Sequence, residues 1–207
     1  MNFMQLRERQ PKFPVTVKTG EGVVELIWNK IEYADGYRVF ASPVGKNHFV
    51  GVINVKGTTA VMKKRANGVP MQYKVKAFRI ADGPDNFFGE SEIVIACPLE
   101  TPRRLTAIVG SDGICTLSWR YNSQCDGFKI YADSNESGKY SFVCYSGKNS
   151  CRLDSFTKSG KVSFVVRSFI MTGHMEKLGV SSAPAEAVLP KSKGAKAVQF
   201  DHSMIRK

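Results

Sequence analysis

The residue types that carry enzyme chemistry are present in this chain, but never at a working spacing. Its three histidines, His48, His174 and His202, have neither a nearby nucleophile nor a second ligand at metal-binding spacing. The five cysteines, Cys97, Cys115, Cys125, Cys144 and Cys151, include no C-x-x-C pair, so neither a zinc site nor a thioredoxin-like dithiol is indicated. Carboxylates occur singly or in turns, and no glycine-rich phosphate loop is present. The expectation is a protein with no catalytic residues, no metal and no cofactor.

Cys144 and Cys151 form the sharpest pair. They flank Tyr-Ser-Gly-Lys-Asn-Ser and would face each other across a hairpin, which suits a disulfide. The odd cysteine total suits free thiols used as small apolar groups in a reducing compartment. The second reading is preferred, and whether the two are bonded stays open. Trp28 and Trp119 would serve as stacking platforms for sugars or bases if exposed. Their alternating apolar neighbours place them in a core instead.

The net charge of +12 is unevenly spread. Residues 11–98 carry +4 and residues 99–190 carry +3, while the last 17 residues alone carry +4. The body of the chain is only mildly basic, which ranks a nucleic-acid partner low. No run approaches 18 apolar residues, so no membrane-spanning helix is read. Met1–Gln10 lacks the apolar stretch and cleavage site of a secretory signal, and the compartment is left open between the cytoplasm and an assembly such as a virion.

The elements that would position any site emerge from an internal repeat. Shifted by 91 residues, Pro11 falls on Pro102, Gly22 on Gly113, Leu26 on Leu117 and Trp28 on Trp119. Gly36-Tyr37 falls on Gly127-Phe128, Val39-Phe40 on Ile130-Tyr131, and Ser91 on Ser182. Tyr73, Val75 and Ala77 fall on Phe164, Val166 and Ser168. Each unit is a series of short period-two segments separated by turn signals such as Ala34-Asp35-Gly36 and Ala66-Asn67-Gly68. No capped 3.6-residue pattern is found. An all-β sandwich in each unit is expected, over 11–98 and 99–190, between an N-terminal arm (1–10) and a basic tail (191–207).

Trp28, then Gly36-Tyr37-Arg38-Val39-Phe40, then Tyr73-Lys74-Val75-Lys76-Ala77-Phe78 resembles the fibronectin type III module. The second unit is a more diverged copy, with Trp119, Gly127-Phe128-Lys129-Ile130-Tyr131 and Phe164-Val165-Val166-Arg167-Ser168-Phe169. The Ala34–Phe40 phrase is most similar to bacterial-type repeats. The resemblance implies two tandem immunoglobulin-like antiparallel sandwiches. It also implies that the Tyr73 hydroxyl ties back to the preceding loop, a bond Phe164 lacks, so the loop before Phe164 would be the less protected from hydrogen exchange. The three residues between Pro98 and Pro102 make a short linker, hence a semi-rigid pair.

Binding residues are sought on loops. The segment Ile80–Gly89 is expected to join two strands, with Asp85, Asn86, Phe87 and Phe88 as candidate partner contacts, either phenylalanine being free to fold back on the core. The matching segment of the second unit offers His174 and Met175. Lys63-Lys64-Arg65 reads as a solvated edge. Lys191, Lys193, Lys196, Phe200, Ile205, Arg206 and Lys207 are candidates for tail docking or for tethering an anionic polymer. Two functions compete: a non-catalytic protein-binding or spacer module, and a structural subunit of a larger assembly docked through its termini.

Overall fold

The computed structural model describes residues 12–83, 86–154 and 159–190. The chain divides into two compact units. In the first, alternating apolar residues form β1 (Val15–Gly20), β2 (Val23–Trp28), β3 (Gly36–Pro43), β4 (Val50–Val55), β5 (Thr59–Met62), β6 (Met71–Phe78), β7 (Phe87–Glu90) and β8 (Val94–Ala96). One sheet runs β1-β2-β5 and the other β4-β3-β6-β7, with β8 also pairing β6. No helix occurs among the described residues.

Strand periodicity does the sorting. In β2, Val24, Leu26 and Trp28 are buried while Val23, Glu25 and Ile27 are only half-buried. They meet Tyr37, Val39, Tyr73, Val75 and Ala77 from the facing sheet, and Phe13, Ile53 and Phe88 pack around the edge of this core. The tight β1–β2 connection, Glu21-Gly22, needs a residue at positive φ, and Gly22 supplies it at 65°.

The second unit repeats the plan with β9 (Arg103–Val109), β10 (Cys115–Arg120), β11 (Gly127–Asp133), β12 (Ser141–Ser146), β13 (Ser150–Leu153), β14 (Gly160–Thr172), β15 (Met175–Leu178) and β16 (Ala185–Leu189). Its sheets run β13-β10-β9 and β12-β11-β14-β15, with β16 on β14. Cys115, Leu117, Trp119, Phe128, Ile130, Phe164 and Val166 form its core.

The 91-residue offset extends to local detail. A register shift between Val39 and Phe40 recurs between Ile130 and Tyr131. The Trp28 backbone N–H donates to the Thr58 carbonyl and the Trp119 backbone N–H to the Asn149 carbonyl, both at 3.0 Å. Gly36 lies under the Phe78 ring, where a Cβ would come within 2.6 Å of it, and Gly127 lies under Phe169 in the same way.

The hydroxyl-to-loop bond the structure shows in the first unit belongs to Tyr37, not Tyr73. Tyr37 Oη accepts the Ile31 N–H at 2.8 Å. Tyr37 opens its strand beside the turn, whereas Tyr73 is 1% exposed between the sheets, where burial pushes its phenol up. The position of Tyr37 is Phe128 in the second unit, where Tyr121 instead packs edge-on against the ring at 5.1 Å. The loop before Phe164 includes residues 155–158, outside the described residues.

One buried carboxylate organises a turn of the second unit. Asp133 accepts the Asn135 N–H at 3.0 Å, the Ser137 hydroxyl at 3.2 Å and the Gly138 N–H at 2.6 Å. The Asn135 N–H first, with Ser137 and Gly138, holds the Asp133 carboxyl below the usual carboxylate range against an opposing push from burial. A depressed folded-state value stabilises the native state above the unfolded value of about 4, and that contribution is lost as pH falls through the folded value. Protection of the Asn135 and Gly138 amides, corrected for intrinsic exchange, is therefore expected to drop on acidification. Asp133→Asn should remove that dependence, since its amide does not titrate, and should lower Gly138 protection at every pH, since its amide nitrogen cannot accept that N–H.

Candidate binding surface

Asp85 and the tail residues Lys191, Lys193, Lys196, Phe200, Ile205, Arg206 and Lys207 lie outside the described residues. Asn86 is exposed, and its side-chain amide donates to the Asp82 carbonyl. Phe87 and Phe88 are not turn residues, because β7 begins at Phe87. Strand alternation sends the two rings to opposite faces. Phe88 packs against the core. Phe87 lies edge-on to Phe40 at 5.5 Å and to Phe78 at 6.5 Å, on the outer face of its sheet. In the second unit Gly173-His174 form a tight turn, with Gly173 at a φ of 63°. His174 is exposed there, and Met175, which opens β15, is 60% exposed.

Phe87 belongs to a cluster whose cationic members the sequence reading did not single out. Arg38 on β3 stands directly opposite Lys76 on β6, and Lys76 opposite Glu90 on β7. The Arg38 guanidinium lies 5.4 Å from the Phe87 ring centre, and Lys76 Nζ lies 5.5 Å from Phe87 and 5.6 Å from Phe40. Lys74 Nζ sits 4.5 Å from Phe49. Arg38 Nε also donates to Asn54 Oδ1 at 2.8 Å. Glu90 pairs with Lys76 at 3.0 Å and Lys74 at 3.4 Å. Burial pushes the Glu90 carboxyl up, but the two ammonium groups outweigh it and hold the carboxyl below its ordinary value.

The second unit places cations at the same two register positions. Lys129 stands opposite Arg167 on β14, 91 residues beyond Arg38 and Lys76. Lys129 Nζ lies 5.1 Å from Tyr145 and 5.6 Å from Phe142. Tyr131 packs edge-on to Phe142 at 5.9 Å, and Tyr145 to Phe169 at 5.7 Å. Phe142 and Tyr145 are both exposed. The place of Glu90 is taken by Ser181, so no carboxylate stands at that position.

Like charges directly opposite across strands are destabilising. Ring faces offset part of this, at about 0.5–1 kcal/mol for an exposed cation–π contact. The cation pair stands at one register in both units, and in the first Glu90 neutralises part of its charge. Chemically, the arrangement presents paired cations on an aromatic floor, which suits carboxylates carried beside apolar groups. Arg38 also borders an open depression with Gly51, Val52, Ile53 and Asn54 along edge strand β4. Among the described residues no group of three His, Cys, Asp or Glu side chains could hold a metal. His48 and His174 are both exposed loop residues.

In both units a three-stranded sheet faces one in which the third strand pairs the fourth and the sixth, and the sixth pairs the seventh. Each unit has the fibronectin type III fold. No sequence family and no curated protein matches the chain. Among solved structures it is similar to a fragment of chicken CNTN1 holding domains FN1–FN3, at 18% identity and a TM-score of 0.40, covering 87% of this chain and 67% of that one. It is also similar to a two-domain fibronectin type III segment of chicken tenascin, at 16% identity and a TM-score of 0.47, covering 86% and 97%. The bacterial-type character remains an expectation from the Ala34–Phe40 phrase. The tandem fibronectin arrangement itself rests on the strand order and register of this chain.

The paired cations left a signal in the sequence. Arg38 and Lys129 sit one residue after the repeated aromatic, and Lys76 and Arg167 one residue after the repeated valine. Their meaning depended on knowing that the two strands are neighbours in register.

Proposed function

We propose that the chain is a non-catalytic protein-binding module whose fibronectin type III units, taken as 11–98 and 99–190, recognise acidic extended segments of a protein partner on their outer sheet faces. The observation that carries this reading is the cross-strand cation pair, Arg38–Lys76 and Lys129–Arg167, held among aromatic side chains in both units. Phe87 is part of that surface, and the exposed His174 and Met175 offer further contacts at the turn before β15. A protein partner suits the surface better than a nucleic acid. Each face offers few cations, and Glu90 stands among those of the first, whereas phosphate recognition draws on many contacts. The exposed Val50 and Val52 on edge strand β4 suit an added peptide strand.

A fluorescent peptide of alternating glutamate and valine serves as the probe, read by anisotropy at low and moderate salt. The native chain should bind it, and the Arg38→Glu, Lys129→Glu double variant should lose about tenfold or more in affinity. Both substitutions are on half-exposed positions, and circular dichroism checks that the fold persists. Deleting residues 191–207 should leave binding unchanged. If that deletion abolished binding, docking through the tail would replace this reading. Tighter capture of a short DNA duplex than of the peptide would also overturn it.

A further inference from the structure

Cys144 and Cys151 do not face each other within one sheet. Cys144 lies on β12, the outermost strand of one sheet of the second unit, and Cys151 on β13, the outermost strand of the other. Between Ser146 and Ser150 the chain crosses from one sheet to the other. Ser146 Oγ gathers that crossing, lying 2.9 Å from the Lys148 carbonyl, 2.6 Å from the Ser150 carbonyl and 3.1 Å from the Lys148 nitrogen. The two sulfurs meet at the open side of the sandwich, 3.3 Å apart. Both are free thiols.

A third thiol lies beside them. Cys115 is on β10, which pairs with β13, and its thiol is pushed up by burial and by Cys151. The same three positions in the first unit are Val24, Ile53 and Ala60, all members of or neighbours to that unit's core. Apolar filling alone is thus achieved there without sulfur. Two cysteines in contact, with a third diagonally across the strand pair, need a further reason.

We propose that Cys144 and Cys151 are an oxidation site, closing under a peroxide into a disulfide that staples the two sheets of the second unit together. Cys151 is the sulfur that meets the oxidant. It is partly exposed, whereas Cys144 and Cys115 are buried. The hydrogen bond between the two sulfurs lowers the Cys151 thiol and, together with burial, raises that of Cys144. The Cys151 thiolate attacks hydrogen peroxide, breaking the O–O bond and releasing hydroxide, to give a sulfenic acid. The Cys144 sulfur then displaces the sulfenic oxygen, which leaves as water with the Cys144 proton. Two thiols are oxidised by two electrons, and one peroxide becomes two waters. The sulfurs must close from 3.3 Å to a bond of about 2 Å.

Digestion with trypsin reads the result directly, because Lys139, Lys148 and Arg152 put the two cysteines on separate peptides, residues 140–148 and 149–152. The full-length reduced protein is treated with equimolar hydrogen peroxide, alkylated and digested. The expected product is those two peptides joined, less two hydrogens, with Cys97 and Cys125 alkylated. Cys115→Ala should leave the cross-link in place and Cys151→Ser should abolish it. The cross-linked protein should also show a thermal transition raised by about 5 °C or more, reversed by dithiothreitol. Recovery of Cys144 and Cys151 both alkylated would overturn the proposal, as would a cross-link running mainly from Cys115.

Discussion

Trp28→Ala is expected to lower the stability of the first unit by about 3–5 kcal/mol, the cost typical of deleting a large buried ring. Domains of this size are stable by only about 5–15 kcal/mol, so the unit would be left marginal or unfolded. Trp28 is 4% exposed and packs edge-on to Tyr37 at 5.3 Å, closing one end of the space between the sheets. Its indole N–H is buried without a hydrogen-bond partner among the described residues, and so is that of Trp119. Such a group carries a desolvation cost of about 1–3 kcal/mol. Trp28→Phe, which removes the N–H and keeps a ring, should therefore cost far less than alanine. Each unit holds one tryptophan, so in the alanine variant the fluorescence of Trp119 reports the second unit alone. Urea titration followed by circular dichroism measures the loss. A change below about 1 kcal/mol would mean that Trp28 is not packed as described.

Ser91→Ala is expected to cost about 1–3 kcal/mol although it removes a single oxygen, because it strands a buried backbone donor. Ser91 is fully buried, and its Oγ accepts the Val75 N–H at 2.9 Å while donating to the Glu92 carbonyl at 2.7 Å. The Ser91 N–H donates to the Val75 carbonyl at 2.8 Å, so the residue holds both backbone polar groups of Val75 in the middle of β6. Ser182 does the same for Val166, with its Oγ 3.0 Å from the Val166 nitrogen and its N–H 2.9 Å from the Val166 carbonyl. Faster exchange of the Val75 amide in Ser91→Ala, and of Val166 in Ser182→Ala, would locate the damage. Unchanged exchange at both would show that these hydroxyls are not the acceptors.

Such serines illustrate what a repeat discloses and what it leaves out. The coincidence of Ser91 with Ser182 at the shared offset is visible in the sequence, but the reason for it is not, since the partner amide lies 16 residues away. Phe87 and Phe88 show the opposite case. The pair sits at the end of a polar segment, and the expectation that one ring folds back on the core holds for Phe88. Only a strand beginning at Phe87 shows which ring goes inward and which to the outer face. Cys144 and Cys151 read as hairpin partners because only six residues part them. The chain changes sheets between them, which makes their contact one across the sandwich.

The all-β class, the duplicated unit and the buried tryptophans were determined by the sequence alone, because period-two burial and turn chemistry are local and each strand carries them in its own residues. Only the tertiary structure decided that Arg38 faces Lys76, that Tyr37 rather than Tyr73 holds a loop, and that two sulfurs meet at the sandwich edge. Those facts depend on cross-strand register and on which sheet a strand joins. Register is set by the whole set of packed faces at once, and no short stretch of residues encodes it.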